Sequence, residues 1–458
     1  MGAGTILLVS CYELGHQPLA LASPLAFLAR AGRAAEALDI SAEPFDSAKI
    51  ARARFVGISV PMHTALRLGV RAAEQIRRVN PACHICFYGL YASLNAEYLL
   101  EHCGDSVIGG EYESALVALA EAVEAGHAGP IEGVQRRGQA ARPILRKLPF
   151  ALPSRGALPS LEKYAHLDRN GTKALVGYVE ASRGCLHLCL HCPIPPVYGG
   201  RFFVVPQEVA LEDIRQLARD GATHITFGDP DFLNGPRHSL AIVRAMHAEL
   251  PSLTFDFTAK VEHILEHAGL FPELGRLGCV FMVSAVESLS EAVLVNLEKG
   301  HTRADVARAL AIVREAGIAF RPTWVAFTPW TSLEDYLEML DFVEDEGLID
   351  HVDPVQLTLR LLVPPGSSLL TRPAIQPHLG PLDQAGFIYR WTHPDPRMDD
   401  LQREASRLVE QAGTGDPAAT FYRLRALASA KAGRTERPVP ELAADRRRPP
   451  RLTEAWFC

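Results

Sequence analysis

No long apolar run occurs in this sequence. Its hydrophobic stretches are strand-sized, and none approaches the roughly 20 residues that a membrane-spanning helix requires. Cysteine is scarce, nine in 458 residues and odd in number, which excludes the disulfide framework of a small secreted protein. Positive charge is not in excess either. With 46 Lys and Arg against 53 Asp and Glu the net charge is -7, so the whole chain has no general attraction for nucleic acid, and the run Arg446-Arg447-Arg448 reads as solvated surface. Met1 is followed by no charged leader and apolar core of the secretory kind, which together with free thiols points to the reducing cytoplasm. Neither a nucleic-acid nor a membrane partner is expected. What remains is 48% hydrophobic and 22% charged, a globular composition long enough for two or three domains. No fixed-period repeat is visible.

The first 125 residues alternate short apolar runs with helical patterns. Ile6 to Ser10, Ala37 to Ile40, Phe55 to Val60, His84 to Tyr88 and Ser106 to Ile108 read as strands, with amphipathic segments such as Ala65 to Val79 between most of them. This alternation predicts a parallel, doubly wound α/β sheet whose ligand edge is formed by the carboxyl ends of its strands. Those ends carry Cys11-Tyr-Glu-Leu-Gly-His-Gln-Pro18, Pro61-Met-His-Thr64, Gly89-Leu-Tyr91 and Gly109-Gly-Glu111. Each is compatible with an ordinary turn, and the glycines also allow a bulky ligand close to the backbone. From 126 to 170 Gly, Pro, Arg and Gln accumulate, as in a linker with one short helix near Leu161 to His166.

A second series follows over 171–370. Leu175 to Ala181, His224 to Gly228, Thr254 to Thr258, Val280 to Val286, Ala319 to Phe327 and Val355 to Leu362 are the candidate strands, with a helical pattern after each of the first five. Six units fit a partial (β/α)6 barrel rather than a closed eight-unit one. Residues 371–458 read as a helical carboxyl-terminal region.

The few cysteines are unevenly spread. Three of them, with two histidines, fall in Gly184-Cys-Leu-His-Leu-Cys-Leu-His-Cys192, directly after the first barrel strand, on the face where barrels place their chemistry. Three thiolates on one loop suit three corners of a four-iron, four-sulfur cluster with one iron left open. Zinc bound by the Cys189/Cys192 pair with His187 or His191 is the rival, and it lacks a second cysteine pair downstream.

The spacing of Cys185, Cys189 and Cys192 on the first loop of a partial barrel resembles the radical S-adenosylmethionine (SAM) superfamily. The resemblance implies a [4Fe-4S] cluster whose open iron binds SAM, and reductive cleavage of SAM to a 5′-deoxyadenosyl radical. Here His191 stands where the family commonly has an aromatic residue against adenine. Gly228-Asp-Pro-Asp-Phe232 stands where the methionyl amino group is held, so Gly228 and Asp229 are expected near it. Ser284 and Glu287, ending the fourth strand, stand where ribose or carboxylate is held, and Lys260, Thr323 and Arg360 are further candidates. In this light the first sheet resembles the cobalamin-binding domain of B12-dependent members, through Gly15-His-Gln-Pro-Leu19 and Phe55-Val-Gly-Ile-Ser59. That likeness places His16, Ser59, His63, Gly89 and Gly110 at the corrin. The Asp-x-His-x-x-Gly signature that supplies a histidine to cobalt is absent, since the first loop reads Tyr12-Glu-Leu-Gly-His16.

The implied activity is methyl transfer to an unactivated carbon of a small-molecule or peptide substrate, with flavodoxin or ferredoxin as electron donor. Ring rearrangement or cyclisation is the alternative chemistry, and a zinc-stabilised nucleotide-binding or regulatory protein the alternative of another class. The ending Leu452-Thr-Glu-Ala-Trp-Phe-Cys458 resembles the tail that precedes Cys-Cys-Ala-Glu-Pro or Cys-selenocysteine-Ala-Glu-Pro in one cobalamin-binding group of this superfamily. It implies a native chain that continues with selenocysteine.

Overall fold

The computed structural model describes residues 5–435, 437–441 and 446–454, so Cys458 and the selenocysteine expectation lie outside the described residues. The amino-terminal sheet contains β1 (Thr5–Ser10), β2 (Ala35–Asp39), β3 (Ala53–Ser59), β4 (His84–Tyr88), β5 (Ser106–Ile108) and β6 (Val134–Gln135), in the order β2-β1-β3-β4-β5-β6. The first five are parallel and β6 is antiparallel. Their near-continuous apolar runs follow from having both faces covered. The helix His63–Val79, for example, buries Ala65, Leu66, Gly69, Val70, Ala73 and Ile76, a three-four spacing that lays one face on the sheet. Strand order reverses between β1 and β3, so their two carboxyl-end loops flank the crevice where such sheets take ligands.

The segment 126–170 is packed rather than loose. It supplies β6, a parallel bridge from Ile144 to Gly110, the 3-10 turn Leu161–Lys163 and the strand β7 (His166–Arg169). Arg155 within it is buried, donating to Asp213 (2.7 Å), to the Gln17 side chain (2.9 Å) and to the Tyr178 carbonyl (2.7 Å). The linker expectation is corrected accordingly: its polar residues are partners in buried contacts.

The barrel sheet is built on β8 (Thr172–Val179). A small antiparallel pair, β9 (Ser182–Gly184) and β10 (Phe202–Val204), follows it, and then come β11 (His224–Phe227), β12 (Thr254–Thr258), β13 (Cys279–Glu287) and β14 (Ala319–Trp324). The order β14-β13-β12-β11-β8 is parallel throughout, and β7 adds antiparallel at the far edge. Capping boxes at Thr302/Asp305 and Ser332/Asp335 start two of the outer helices.

The sixth strand expected at Val355 to Leu362 is instead the 3-10 turn Pro354–Thr358, followed by a single parallel bridge between Phe327 and Arg360. Pro354 has no N–H for a ladder, and the Trp324 amide donates to the Gln356 side chain at 3.2 Å in place of a backbone carbonyl. The carboxyl-terminal region is not purely helical. It contains the hairpin β15 (Leu379–Asp383) and β16 (Ile388–Trp391), the helices Pro396–Ala412 and Pro417–Ala432, and β17 (Arg451–Leu452), which pairs with β7. That pairing carries Glu454 to Tyr12, whose hydroxyl donates to it at 2.9 Å.

Candidate active site

The cysteine loop leaves the β9–β10 pair, and its entry requires glycine. Gly184 has φ 77°, and a Cβ there would lie 2.4 Å from the Arg201 carbonyl oxygen. The Cys185 amide donates to that oxygen at 3.1 Å, and Leu190 N donates to Leu297 O at 3.0 Å, which ties the loop to the carboxyl end of the helix Glu291–Asn296 that follows β13. Cys185 and Cys189 are buried, and all three thiols are free. Burial pushes Cys185 up to about 11 and Cys192 up to about 12, and the neighbouring thiols add to both shifts. Three thiols that oppose one another's ionisation form a donor set suited to a shared cationic partner.

A buried ammonium stands beside them. Lys299 Nζ lies 3.3 Å from Glu287 Oε1. Burial alone would lower the Lys299 pKa, but the charges of Glu287 and then Cys189 outweigh it and raise it. Glu287 ends β13 in the left-handed region at φ 65°, where the register with β14 shifts, a costly conformation for a non-glycine residue. The turn aims its carboxylate at Lys299 and at His191 Nε2, 3.3 Å away. Burial works to raise the Glu287 pKa, yet Lys299 and His191 hold it down at about 2.

The other barrel residues singled out in the sequence are placed as follows. Ser284 is fully buried with its hydroxyl unpartnered, and the Thr323 hydroxyl donates to the Ser284 carbonyl at 3.4 Å. A Cβ on Gly228 would overlap the Tyr178 ring at 2.2 Å. Both Asp229 oxygens are engaged by Ala181 N (2.8 Å) and the Ser182 hydroxyl (2.6 Å); Asp229 therefore orients the start of the cysteine loop, and burial lifts it to about 7. Arg360 departs from the expectation of a cofactor contact. Its guanidinium is taken by Asp399 at 2.7 Å and by the Trp391 carbonyl, and it lies over the Trp391 ring at 3.5 Å, joining the carboxyl-terminal region to the barrel.

At the first sheet, His16 is buried and stacked on Tyr178 of β8 at 4.4 Å. Burial, then the nearby His224, lowers it to about 3. This is a correction: the ring belongs to the junction of the two sheets and is not open to a corrin. His63 Nε2 is 2.7 Å from the Gly386 carbonyl oxygen of the β15–β16 turn, so that ring is also engaged within the chain. Ser59 is buried at the carboxyl end of β3. Gly89 has φ 104° at the end of β4, and Gly110 passes so close to the linker that a Cβ would meet Ile144 O at 2.4 Å. The closeness of Gly110 is thus explained within the chain.

The carboxyl edges of the two sheets meet. Arg183, in β9, pairs with Glu113 and lies 3.6 Å from Glu111, both fully buried after β5, and Tyr198 donates to Glu111 at 3.0 Å. Arg183 and Lys299 were not singled out from the sequence, where one is an ordinary arginine before a glycine and the other a lysine in a turn.

Residues 179–343 match the Radical SAM superfamily. The barrel is a radical SAM domain. Proteins of this superfamily require a [4Fe-4S] cluster and SAM. The chain is 27% identical over 256 residues to the hopanoid C-3 methylase of Methylococcus capsulatus, covering 53% of this chain and 48% of that protein; it spans about half the length of the curated relatives it matches. Among solved structures, the cobalamin-dependent S-adenosylmethionine radical enzyme OxsB with aqua-cobalamin bound aligns with a TM-score of 0.72 and 16% identity, over 89% of this chain and 67% of that one. The radical SAM methyltransferase TsrM from Kitasatospora setae, with cobalamin and a [4Fe-4S] cluster bound, aligns at 0.67 and 18% identity over 94% of this chain and 100% of that one. The doubly wound sheet followed by a radical SAM partial barrel is therefore an architecture shared with these enzymes. No described helix is long and apolar enough to cross a membrane.

Proposed function

We propose that this chain is a cobalamin-dependent radical SAM enzyme that transfers a methyl group to an unactivated carbon of a small-molecule or peptide substrate, with a flavodoxin or ferredoxin as electron donor. The observation that carries the reading is the abutment of the two carboxyl edges through His16 on Tyr178 and Arg183 on Glu111 and Glu113. A ligand seated on the edge of the first sheet then lies against the cysteine loop. Solved proteins of the same architecture that hold cobalamin, and a methylase among the sequence relatives, support it.

When bound, the cluster with SAM supplies a hydrogen-abstracting radical and cobalamin a transferable methyl group. The chain's own residues bind and align. Cys185, Cys189 and Cys192 hold the cluster, and Lys299 compensates the charge gathered there. Ser284, with its unpaired buried hydroxyl, is a donor for SAM; the backbone carbonyl at Gly228 and the ionised Glu287 carboxylate are acceptors, and the His191 and Thr323 side chains are further polar contacts. Ser59, at the crevice of the first sheet, and Gly89, at the end of the neighbouring strand β4, would lie at the corrin, with His63 beside them.

Anaerobic reconstitution tests the reading. The full chain should take up about four iron per chain, retain hydroxocobalamin through gel filtration, and move a deuterated methyl from labelled SAM into product detected by mass spectrometry. The triple variant Cys185→Ala, Cys189→Ala, Cys192→Ala should fold without iron. Undiminished iron in that variant, or a reconstituted chain that does not retain cobalamin, overturns the proposal.

A further inference from the structure

The cysteine loop carries a second constellation. His187 stands between Cys185 and Cys189, and its Nε2 lies 3.4 Å from Asp231 Oδ2. His263 Nδ1 approaches the same oxygen at 2.9 Å and His187 Nε2 at 3.4 Å. The three residues come from three successive barrel units: the loop after β8, the loop after β11, and the helix Val261–Glu266 after β12. Asp231 and His263 are buried and His187 is nearly so. Among the described residues this is the one group of histidine, cysteine and carboxylate side chains whose ligand atoms all converge in this way.

As a hydrogen-bond network the triangle is frustrated. Oδ2 can only accept when ionised, so each ring nitrogen facing it must be an N–H donor, and two N–H groups would then confront one another across 3.4 Å. A cation at the centre removes the conflict by taking a lone pair from each corner. Zinc holds nitrogen and oxygen ligands at about 2.0–2.1 Å in a tetrahedron, which puts ligand atoms about 3.3 Å apart; the observed edges are 3.4, 3.4 and 2.9 Å.

The surroundings also suit an ion. Asp231 Oδ1 accepts from Leu233 N at 2.9 Å, and the Lys260 amide reaches Oδ2 at 3.1 Å, so the carboxylate is held without its remaining lone pair being used. The other nitrogen of His187, Nδ1, has the Lys260 ammonium at 3.4 Å and Glu262 Oε2 at 3.9 Å, the carboxylate being a group of the kind that orients a metal-bound imidazole. Glu262 also balances the Lys260 ammonium, 2.8 Å away.

We infer that His187, Asp231 and His263 form a site for a zinc-class divalent cation, separate from the cysteines, with a fourth position open to water or to an anionic oxygen of the substrate. Three protein ligands and an open position are the pattern of a reactive rather than a purely structural zinc centre. Because His187 shares its loop with Cys185 and Cys189, the ion and the cluster are built on one piece of backbone, and a substrate oxygen bound to the ion is held at the mouth of the barrel. The zinc site stands independently of the cobalamin reading.

The test uses the full-length protein, reconstituted anaerobically with iron and sulfide, equilibrated with stoichiometric Zn2+ and desalted. It should retain one zinc per chain beyond its iron, and zinc-edge X-ray absorption should give a nitrogen and oxygen shell with imidazole scattering and no sulfur. Asp231→Asn, which keeps an accepting oxygen for one of the two amides of Leu233 and Lys260, and His263→Ala should each weaken zinc binding by more than the roughly 10- to 100-fold that loss of an outer partner costs, with iron unchanged. Iron is counted in the same samples, so failure of the cluster and failure of the zinc site are read apart. No retained zinc, a zinc shell containing sulfur, or zinc bound equally well by both folded variants overturns the inference.

Discussion

Lys299 and Glu287 show how one pair can set the charge of a site. Each is buried, and neither charge is tolerable there alone. Removing one partner of a buried pair costs about 3–5 kcal/mol because it strands the other. Lys299→Met is therefore expected to lower the urea stability of the apo chain by an amount in that range, and the double variant Glu287→Gln, Lys299→Met to recover much of it. Equal destabilisation by the single and double variants would show that Lys299 acts through packing rather than charge. The pH dependence carries a definite sign. The folded Glu287 pKa, about 2, lies below its ordinary value of 4.5, so its stabilising contribution is complete above 4.5 and is lost as the pH falls through about 2.

At the scale of elements, the loop after β1 and the strand β8 are joined by a neutral imidazole. His16 is lowered from 6.5 to about 3, mainly by burial. Between those values the unfolded chain binds a proton that the folded chain refuses, so folding stability falls as pH drops from 6.5 toward 3, by about 1.4 kcal/mol per pH unit for one proton. Glu13, raised to about 8, and Asp229, raised to about 7, act with the opposite sign, because their folded forms hold protons that the unfolded chain releases. Comparison with His16→Gln separates the histidine from these carboxyls. Urea midpoints measured at pH 7 and pH 5 should drop further in the wild type than in the variant. Identical pH slopes would mean that His16 does not titrate as its burial requires.

At the scale of the whole molecule, buried polar contacts tie the first sheet, the 126–170 segment and the barrel together: Arg183 pairs with Glu113, Arg155 pairs with Asp213 and donates to the Gln17 side chain, and the Tyr164 hydroxyl donates to Asp39 at 2.8 Å. A chain of this length ordinarily unfolds domain by domain. Here the junction should couple the halves into one transition. Trp324, Trp330 and Trp391 lie beyond the first sheet, so their fluorescence reports the barrel side while far-UV circular dichroism reports both. The two signals are expected to coincide in the wild type and to separate in Arg155→Ala, Arg183→Ala, which leaves buried carboxylates unpaired on both sides. Non-coincident transitions in the wild type would contradict a coupled junction.

The sequence by itself determined what depends on near neighbours in the chain. Alternating apolar runs specify β1 to β5, β8 and β11 to β14, because a strand buried on both faces and a helix buried on one leave different periods. The spacing of Cys185, Cys189 and Cys192 sets three thiols on one loop, because three donors so spaced need only a few residues of chain to come together. Tertiary structure decided the rest. Gln356 intercepts the Trp324 amide and Pro354 breaks the ladder, so the sixth strand shrinks to a bridge; a local apolar run carries no record of either contact. Arg360 is captured by Asp399 and Trp391, and His16 by Tyr178, from segments remote in sequence. Lys299 reaches Glu287, and His187, Asp231 and His263 converge, only because successive parallel strands set their carboxyl-end loops side by side. Residue types on separate loops become a site through the register of the sheet beneath them, and that register is a property of the packed barrel.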